Sequence, residues 1–242
     1  MSIKKYIPNA ITLSNLLSGV IALFYAVFGE LELAGLFVVI GIVFDFFDGF
    51  AARLLNVQGE LGKQLDSLAD MVTSGVVPGI ILFQLILRAT TNAPIESVFQ
   101  PETFEFLPFL GLSVTLASAY RLAKFNIDTR QTSSFIGLPT PANTLLIVSL
   151  PWIISYSEVS FFIAILHNPY ALVGITVLCS YLLNAEIPLF ALKFSNYTWK
   201  ENNYKFIFLG ISVALILCLQ FVAIPLVILL YVLISVWNNN RS

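Results

Sequence analysis

The stretch DFFDGFAARLLNVQGELGKQLDSLAD occupies residues 45–70 and holds four of the five aspartates in the chain. Asp45 and Asp48 are three residues apart, and Asp66 and Asp70 are four residues apart. Either spacing places both carboxylates on one face of an α-helix. If a short turn joins two antiparallel helices here, all four carboxylates meet in one pocket. The stretch therefore predicts a pair of helices built around an acidic site.

The sequence on either side of this acidic stretch is too apolar for a soluble protein. Of its 242 residues, 58% are hydrophobic and only 11% are Asp, Glu, Lys or Arg. Soluble domains carry roughly 25% charged residues, because these residues keep the surface wet. Most of the outer surface must therefore face lipid. A net charge of −2 also excludes nucleic-acid binding that depends on a basic surface.

Long apolar runs predict an all-α integral membrane protein, a polytopic bundle of about eight transmembrane helices that forms one membrane-embedded domain over residues 1–242. A spanning helix needs about 20 apolar residues. The last run has 35 residues without a charge. One helix of that length would measure about 52 Å, so we expect a break near Pro225 and two spans. The predicted spans are 10–28, 33–53, 68–87, 107–125, 141–156, 169–185 and two within 206–240.

The positive charges predict how these spans are oriented. With eight spans and both termini in the cytoplasm, eleven of the twelve Lys and Arg residues fall on the cytoplasmic side. Only Arg88 falls on the outer side. We therefore expect a multi-pass protein of the inner or plasma membrane of a prokaryotic cell, with the acidic site at the cytoplasmic face.

The acidic stretch has the residue types of a metal and phosphate site. Four carboxylates in a poorly hydrated pocket repel each other, and a cation that joins them relieves this cost. Carboxylate oxygens suit Mg²⁺ or Mn²⁺, and two such ions can bind a diphosphate and stabilise a leaving phosphate. Gly49 lets a ligand approach the helix backbone, and Arg53 can bind phosphate through two hydrogen bonds.

Other functions remain open for the same residues. Carboxylates inside a membrane also line the proton relays and cation paths of transporters, although transporter sites more often lie near the midplane on broken helices. A structural membrane protein that retains an inactive site is a third class. An interfacial anchor is the alternative role of Arg53.

The pattern D-x2-D-G-x2-A-R-x8-G-x3-D-x3-D in this stretch matches every fixed position of the signature of the CDP-alcohol phosphatidyltransferase family. The chain therefore resembles integral membrane enzymes that have a six-helix core, to which a C-terminal pair is added here, and that form homodimers. They displace CMP from a CDP-linked lipid with an alcohol, using two divalent ions. The resemblance implies that Asp45, Asp48 and Asp66 bind metal and that Asp70 both binds metal and acts as the catalytic base. The CDP-lipid contacts that it implies within the signature are Gly49, Ala52, Arg53 and Gly62.

Segments outside the signature resemble the phosphatidylserine synthase branch of this family over about residues 8–193. The segments are residues 8–19, 65–78, 120–126, 135–142 and, more loosely, 184–193. In the first of them, Asn9 and Thr12 lie three residues apart at the cytoplasmic mouth, where they can reach the nucleotide. The resemblance implies transfer of the phosphatidyl group from CDP-diacylglycerol to L-serine, with release of CMP among the membrane lipids.

The end of the fourth predicted span supplies candidate residues for binding the acceptor alcohol. A zwitterionic acceptor such as serine needs a cation for its carboxylate and an oxygen for its ammonium group. Arg121, Lys124, Asn126 and Asp128 are nearest to the aspartates by topology. Contact with lipid headgroups is the alternative role of Arg121 and Lys124. The alternatives to serine and to an acyl lipid are glycerol phosphate, an inositol phosphate and an archaeal ether lipid.

Overall fold

A computed structural model of the chain describes residues 3–91, 95–100, 102, 104–128, 135–190 and 198–239. Within these residues the fold is helical apart from one antiparallel ribbon, β1 (Phe135–Ile136) with β2 (Pro188–Leu189), in which Phe135 lies opposite Leu189. The α-helices are α1 (Tyr6–Val27), α2 (Leu31–Leu54), α3 (Glu60–Asp70), α4 (Val77–Thr90), α5 (Ser113–Ile127), α6 (Thr140–Tyr156), α7 (Ser160–Leu166), α8 (Pro169–Asn184), α9 (Trp199–Leu219) and α10 (Ala223–Asn239). A π-helical segment, Met71–Val76, joins α3 to α4, and 3₁₀ turns lie at Ile3–Lys5, Ile95–Phe99, Leu107–Leu112 and Gln220–Val222.

Several helices are long and apolar enough to cross a membrane. Over the described residues these segments are Tyr6–Val27, Leu31–Leu54, Glu60–Thr90 and Asn202–Asn239, and α7 with α8, bent by 82°, would add a fifth if the pair is one span. The expectation of an all-helical integral membrane protein is therefore confirmed. The number of eight spans stays a prediction.

The last apolar run folds into two antiparallel helices. The rings of Phe208 in α9 and Tyr231 in α10 have centroids 5.7 Å apart, whereas 23 residues of one continuous helix would separate them by about 35 Å. The chain reverses at Gln220, which has a φ of 48°. The predicted break near Pro225 was thus misplaced by a few residues, because Pro225 lies in the first turn of α10, where proline is tolerated.

The third predicted span begins much earlier than expected. Residues 68–87 were predicted from hydropathy, but the helix already starts at Glu60 and continues through the π segment to Thr90. The first turns of α3 are mostly exposed and polar, so they escape a prediction based on apolar runs. A helix of 31 residues is about 46 Å long, which exceeds a bilayer core of about 30 Å.

Helix α4 forms the centre of the bundle. Its side chains are buried all round, nearly without interruption from Val77 to Leu87, as expected for a helix that is apolar on every face. Gly111 allows the 3₁₀ turn before α5 to lie against the α4 backbone, since a Cβ there would stand 2.5 Å from the Phe83 nitrogen.

Contacts between helix termini define two opposite ends of the bundle. At one end, Arg88 donates to the Gly29 carbonyl and Ser155 donates to Glu32. At the other end, Lys63 donates to the Asn126 carbonyl at 2.6 Å. The acidic stretch belongs to this second end, which is the one predicted to face the cytoplasm.

Candidate metal and diphosphate site

Three of the four aspartates form a tight cluster. Asp45 and Asp48 lie in the last turns of α2, and Asp66 lies within α3. One carboxylate oxygen of each lies within 4.8 Å of the other two. Asp48 is buried, and its Oδ2 has no hydrogen-bond partner in the described part of the chain. A buried oxygen without a partner is costly, and three hard oxygens at this distance form a ligand set for a divalent cation. The residues therefore fit the predicted metal.

A cavity of about 680 Å³ opens beside this cluster at the same end of the bundle. Its floor is made by the three aspartates, and its walls come from the start of α1, the end of α2, the turn before α3 and the first half of α3. The wall residues are Lys5, Tyr6, Pro8, Asn9, Thr12, Gly49, Ala52, Arg53, Val57, Gln58, Gly59, Glu60, Leu61, Gly62 and Lys63. All six residues expected to contact the CDP-lipid are among them.

The charges in this cavity suit a phosphate ligand. Lys5, Arg53 and Lys63 line the same space as the acidic cluster. A Cβ placed on Gly49 would lie 3.7 Å from Nη1 of Arg53, so the guanidinium stands over a patch of backbone that a ligand can approach. Cations on the walls and carboxylates that could bind metal on the floor provide two ways to neutralise a diphosphate.

Asp70 lies one turn further along α3 in a different environment. It is buried, and its Oδ1 accepts a hydrogen bond from Nδ2 of Asn15 at 3.3 Å. Among the described residues, the cluster of three carboxylates does not include it, and it lies outside the cavity wall. Its expected role as a fourth metal ligand stays a prediction.

Arg121 is the acceptor candidate that comes nearest to the buried aspartate. Its side chain is 6% exposed and its charge interacts with that of Asp70. Its Nη2 lies 3.5 Å from the Gly137 carbonyl, and its Nε has no partner in the described ranges. A buried guanidinium with a free donor can bind a carboxylate.

Lys124 and Asn126, the other acceptor candidates, contact the protein itself. Lys124 forms an ion pair with Glu186, in the loop before β2. Asn126 donates from Nδ2 to Oγ of Ser67 at 2.8 Å. These contacts attach the end of α5 to α3 and to the ribbon, and a role for either residue in acceptor binding stays a prediction.

Sequence reasoning missed Asn15, which contacts Asp70, and Thr73, which contacts Asn15. Both side chains are fully buried, and Oγ1 of Thr73 donates to Oδ1 of Asn15 at 2.9 Å. The signal available in the sequence was the amide itself, because an amide in an apolar span must find partners inside the protein.

Comparison with known proteins agrees with the residue pattern. The sequence profile of the CDP-alcohol phosphatidyltransferase family matches residues 5–181. The chain is 35% identical to CDP-diacylglycerol–serine O-phosphatidyltransferase of Bacillus subtilis over 149 residues, 60% of this chain and 75% of that protein. It is 33% identical over 147 residues to the protein of the same name from Helicobacter pylori (strain J99), covering 58% and 55% of the two chains.

A further relative carries a different name. Archaetidylserine synthase of Methanothermobacter thermautotrophicus is 28% identical over 158 residues, 64% of this chain and 61% of that protein. The chain thus spans three quarters of the Bacillus protein and less than two thirds of the other two. All three names contain serine; the first two name the phosphatidyl group and the third names the archaetidyl group.

Proposed function

Because the chain belongs to the CDP-alcohol phosphatidyltransferase family, we propose that it transfers the phosphatidyl group of CDP-diacylglycerol to the hydroxyl of L-serine. The products are phosphatidylserine and CMP. The observation that carries this proposal is the cluster of Asp45, Asp48 and Asp66 on the floor of a cavity that also contains Arg53. The choice of serine is supported by 35% identity to an enzyme named for this reaction.

The clustered aspartates are the residues that would hold two divalent ions, Mg²⁺ or Mn²⁺. The family uses divalent metals, and this carboxylate cluster offers the oxygens that such ions prefer. When bound, the ions neutralise the diphosphate and stabilise the charge that develops on the departing CMP.

The cavity wall would hold the nucleotide-lipid. Arg53 would donate hydrogen bonds to a phosphate oxygen. The small side chain of Ala52 and the lack of one at Gly49 and Gly62 would let the diphosphate approach the helix backbone. Asn9 and Thr12 of α1 would contact the nucleotide, and the acyl chains would remain in the surrounding lipid.

Asp70 and Arg121 would act on the acceptor. The serine hydroxyl oxygen forms a bond to the lipid phosphorus while the bond from that phosphorus to the CMP oxygen breaks, and Asp70 accepts the hydroxyl proton. A serine hydroxyl is almost fully protonated at neutral pH, so the attack needs such a base. Arg121, whose Nε has no partner among the described residues, would bind the serine carboxylate, and Lys124 and Asn126 would contribute to acceptor binding.

The membrane arrangement forms part of the proposal. We infer eight spans, with both termini and the site on the cytoplasmic side of the inner or plasma membrane of a prokaryotic cell, because the positive charges favour this orientation. A homodimer is inferred from the family resemblance. Contacts of Lys63 in α3 and Lys124 in α5 place both positive charges at the end that holds the aspartates. Positive charge at that end supports a cytoplasmic orientation.

An acceptor panel tests the reaction. The purified protein is given labelled CDP-diacylglycerol, Mg²⁺ and either serine, glycerol 3-phosphate, inositol phosphate or inositol, and CMP release is measured. We expect release with serine and background release with the others. CMP release with another acceptor but not with serine would contradict serine as the acceptor. No CMP release with any acceptor would refute the proposed transferase activity. A parallel arm with a CDP-linked archaeal ether lipid decides between the two lipid classes.

A further inference from the structure

A chain of buried hydrogen bonds ends on Asp70. Thr73 of the π segment donates from Oγ1 to Oδ1 of Asn15 in α1, at 2.9 Å, and Asn15 donates from Nδ2 to Oδ1 of Asp70, at 3.3 Å. Asn15 and Thr73 are fully buried and Asp70 is 9% exposed. Asn15 and Thr73 lie outside the acidic cluster and outside the wall of the cavity. They reach the reaction only through Asp70.

The chemistry of Thr73, Asn15 and Asp70 decides which atom donates and which accepts in each of these hydrogen bonds. An ionised carboxylate only accepts hydrogen bonds, so the side of the Asn15 amide that faces Asp70 must be the NH₂ group. The opposite side, Oδ1, then needs a donor, and the hydroxyl of Thr73 supplies it. The same hydroxyl lies 3.3 Å from the Asn15 backbone carbonyl, so both acceptors near it are oxygens of Asn15. Asp70 therefore decides which side of the amide faces it, and the hydrogen bond from Thr73 stabilises that orientation.

Two glycines make room for this contact. A Cβ on Gly19 of α1 would stand 2.3 Å from Oγ1 of Thr73. A Cβ on Gly41 of α2 would stand 2.7 Å from Cγ2 of Thr73 and 2.9 Å from Oδ1 of Asn15. Real Cβ atoms do not approach other atoms so closely, so both helices can pack around Thr73 only because these positions lack side chains. The packing of α1 and α2 around the π segment therefore accommodates these hydrogen bonds.

The π segment lies within this hydrogen-bonded region. It begins at Met71, directly after Asp70, and contains Thr73. A π turn inserts an extra residue into a helix and changes the face on which the following side chains lie, and such turns occur frequently at functional sites. Asp70 and Thr73 are three residues apart, a spacing at which side chains share one helix face, and both contact Asn15.

We propose that Asn15 and Thr73 are positioning residues that hold the Asp70 carboxylate in one orientation for the acceptor hydroxyl. This inference rests on the proposed function, in which Asp70 accepts the hydroxyl proton. With Oδ1 held by Asn15, the carboxylate cannot rotate freely, and Oδ2 is the oxygen presented to the reaction. Proton transfer depends on such geometry, since a base works only within hydrogen-bond reach of the proton.

The test uses Thr73→Val, which keeps the shape of the side chain and removes its donor. We expect kcat to fall roughly 10- to 100-fold, as expected for a misplaced catalytic group, while KM for CDP-diacylglycerol stays within about threefold. Thr73→Ser keeps the hydroxyl and should recover most of the lost turnover. The matched control is Thr176→Val, because Thr176 is also fully buried but its hydroxyl bonds only to Leu172 in its own helix.

Several outcomes would overturn the inference. These are kcat of Thr73→Val within about twofold of wild type, an equal loss in Thr176→Val, a loss confined to KM, or no recovery in Thr73→Ser. If Thr73→Val does not fold, Asn15→Ala takes its place with the same expected split between kcat and KM. A wild-type protein that releases no CMP with any acceptor would refute the proposed function instead. The Asn15 contact is then judged by thermal unfolding, where the shifts for Asn15→Ala and Asp70→Ala should fail to add, and strict additivity would refute it.

Discussion

At the scale of single residues, the four aspartates divide into two environments. Asp45, Asp48 and Asp66 share the floor of an open cavity, whereas Asp70 lies outside the cavity wall and accepts a hydrogen bond from Asn15. The first three can bind ions that enter with the nucleotide. Asp70 is held by the protein before any ligand arrives. In the proposed function, the same side-chain chemistry would bind metal in one place and accept a proton in the other.

Asp70→Asn separates these two roles. The amide keeps the size and one ligand oxygen but cannot accept a proton, so CDP-diacylglycerol binding should survive while turnover falls by on the order of 10²–10⁴. The measurement pairs nucleotide-lipid affinity with serine-dependent CMP release in the same purified variant. Turnover within about tenfold of wild type would remove Asp70 from the base role. Loss of binding alone would make it only a ligand.

Removal of metal should abolish turnover. Excess EDTA is expected to stop CMP release, and Mg²⁺ or Mn²⁺ should restore it, because the clustered carboxylates need a hard cation between them. Asp48→Asn should lose metal affinity and activity together, as Asp48 is a buried member of the cluster. Glu158→Gln, an exposed carboxylate at the opposite end, serves as the control and should behave as wild type. Full activity in a metal-free preparation argues against the metal mechanism.

Some site residues were predictable from the sequence and others were not. The aspartates could be found because helical spacing alone places Asp45 with Asp48, without knowledge of any other contact. The link from Asn15 to Asp70 crosses 55 residues, and the pair of Lys124 with Glu186 crosses 62. Helix packing determines such partners, and residue spacing along one helix gives no information about contacts between helices. For this reason Asn15 was missed and Lys124 was predicted without its partner.

At the scale of elements, close approach of helices shapes the site as much as the acidic residues do. The π segment could not be predicted, because hydropathy and helical spacing do not distinguish a π turn from an ordinary helical turn. Pro78 offers one physical reason for the irregularity. It has no N–H to give to the Ser74 carbonyl, and that carbonyl accepts from Thr144 of α6 at 3.0 Å instead. The third helix is thus joined to α6 just beyond Asp70.

Gly19→Ala tests this close approach. The added Cβ would stand 2.3 Å from Oγ1 of Thr73, so α1 must move away from the π segment. We expect a loss of about 1–3 kcal/mol of stability, the usual cost of overpacking, together with reduced turnover. Gly174→Ala is the control, because nothing lies within 4 Å of its added Cβ. Thermal unfolding and CMP release are measured for both, and equal stability of the two variants would contradict the packing argument.

At the scale of the whole molecule, the order of helices places the start of α1 and the end of α10 with the aspartates. Nδ2 of Asn239, at the end of α10, donates to the Pro188 carbonyl of β2 at 2.6 Å. The neighbouring Glu186 binds Lys124, at the end of α5. Hydropathy and the count of positive charges predicted that these helix ends lie on the same side as the aspartates, since both depend on composition along the chain. They did not predict where α9 turns back, because one strained residue, Gln220, decides it.

The last prediction tests which end of the bundle faces the cytoplasm. Glu158 lies in the loop between α6 and α7, at the end where Ser155 contacts Glu32, and Asn203 lies exposed near the start of α9. In a variant without Cys179 and Cys218, a membrane-impermeant thiol reagent should label Glu158→Cys in intact cells. It should label Asn203→Cys only after the membrane is opened, because Lys200 and Lys205 favour the cytoplasm. Tags on either terminus should behave like Asn203→Cys, since α10 returns to the end that holds the aspartates. A C-terminal tag that reacts from outside while the N-terminal tag does not would mean that α9 and α10 together cross the membrane once.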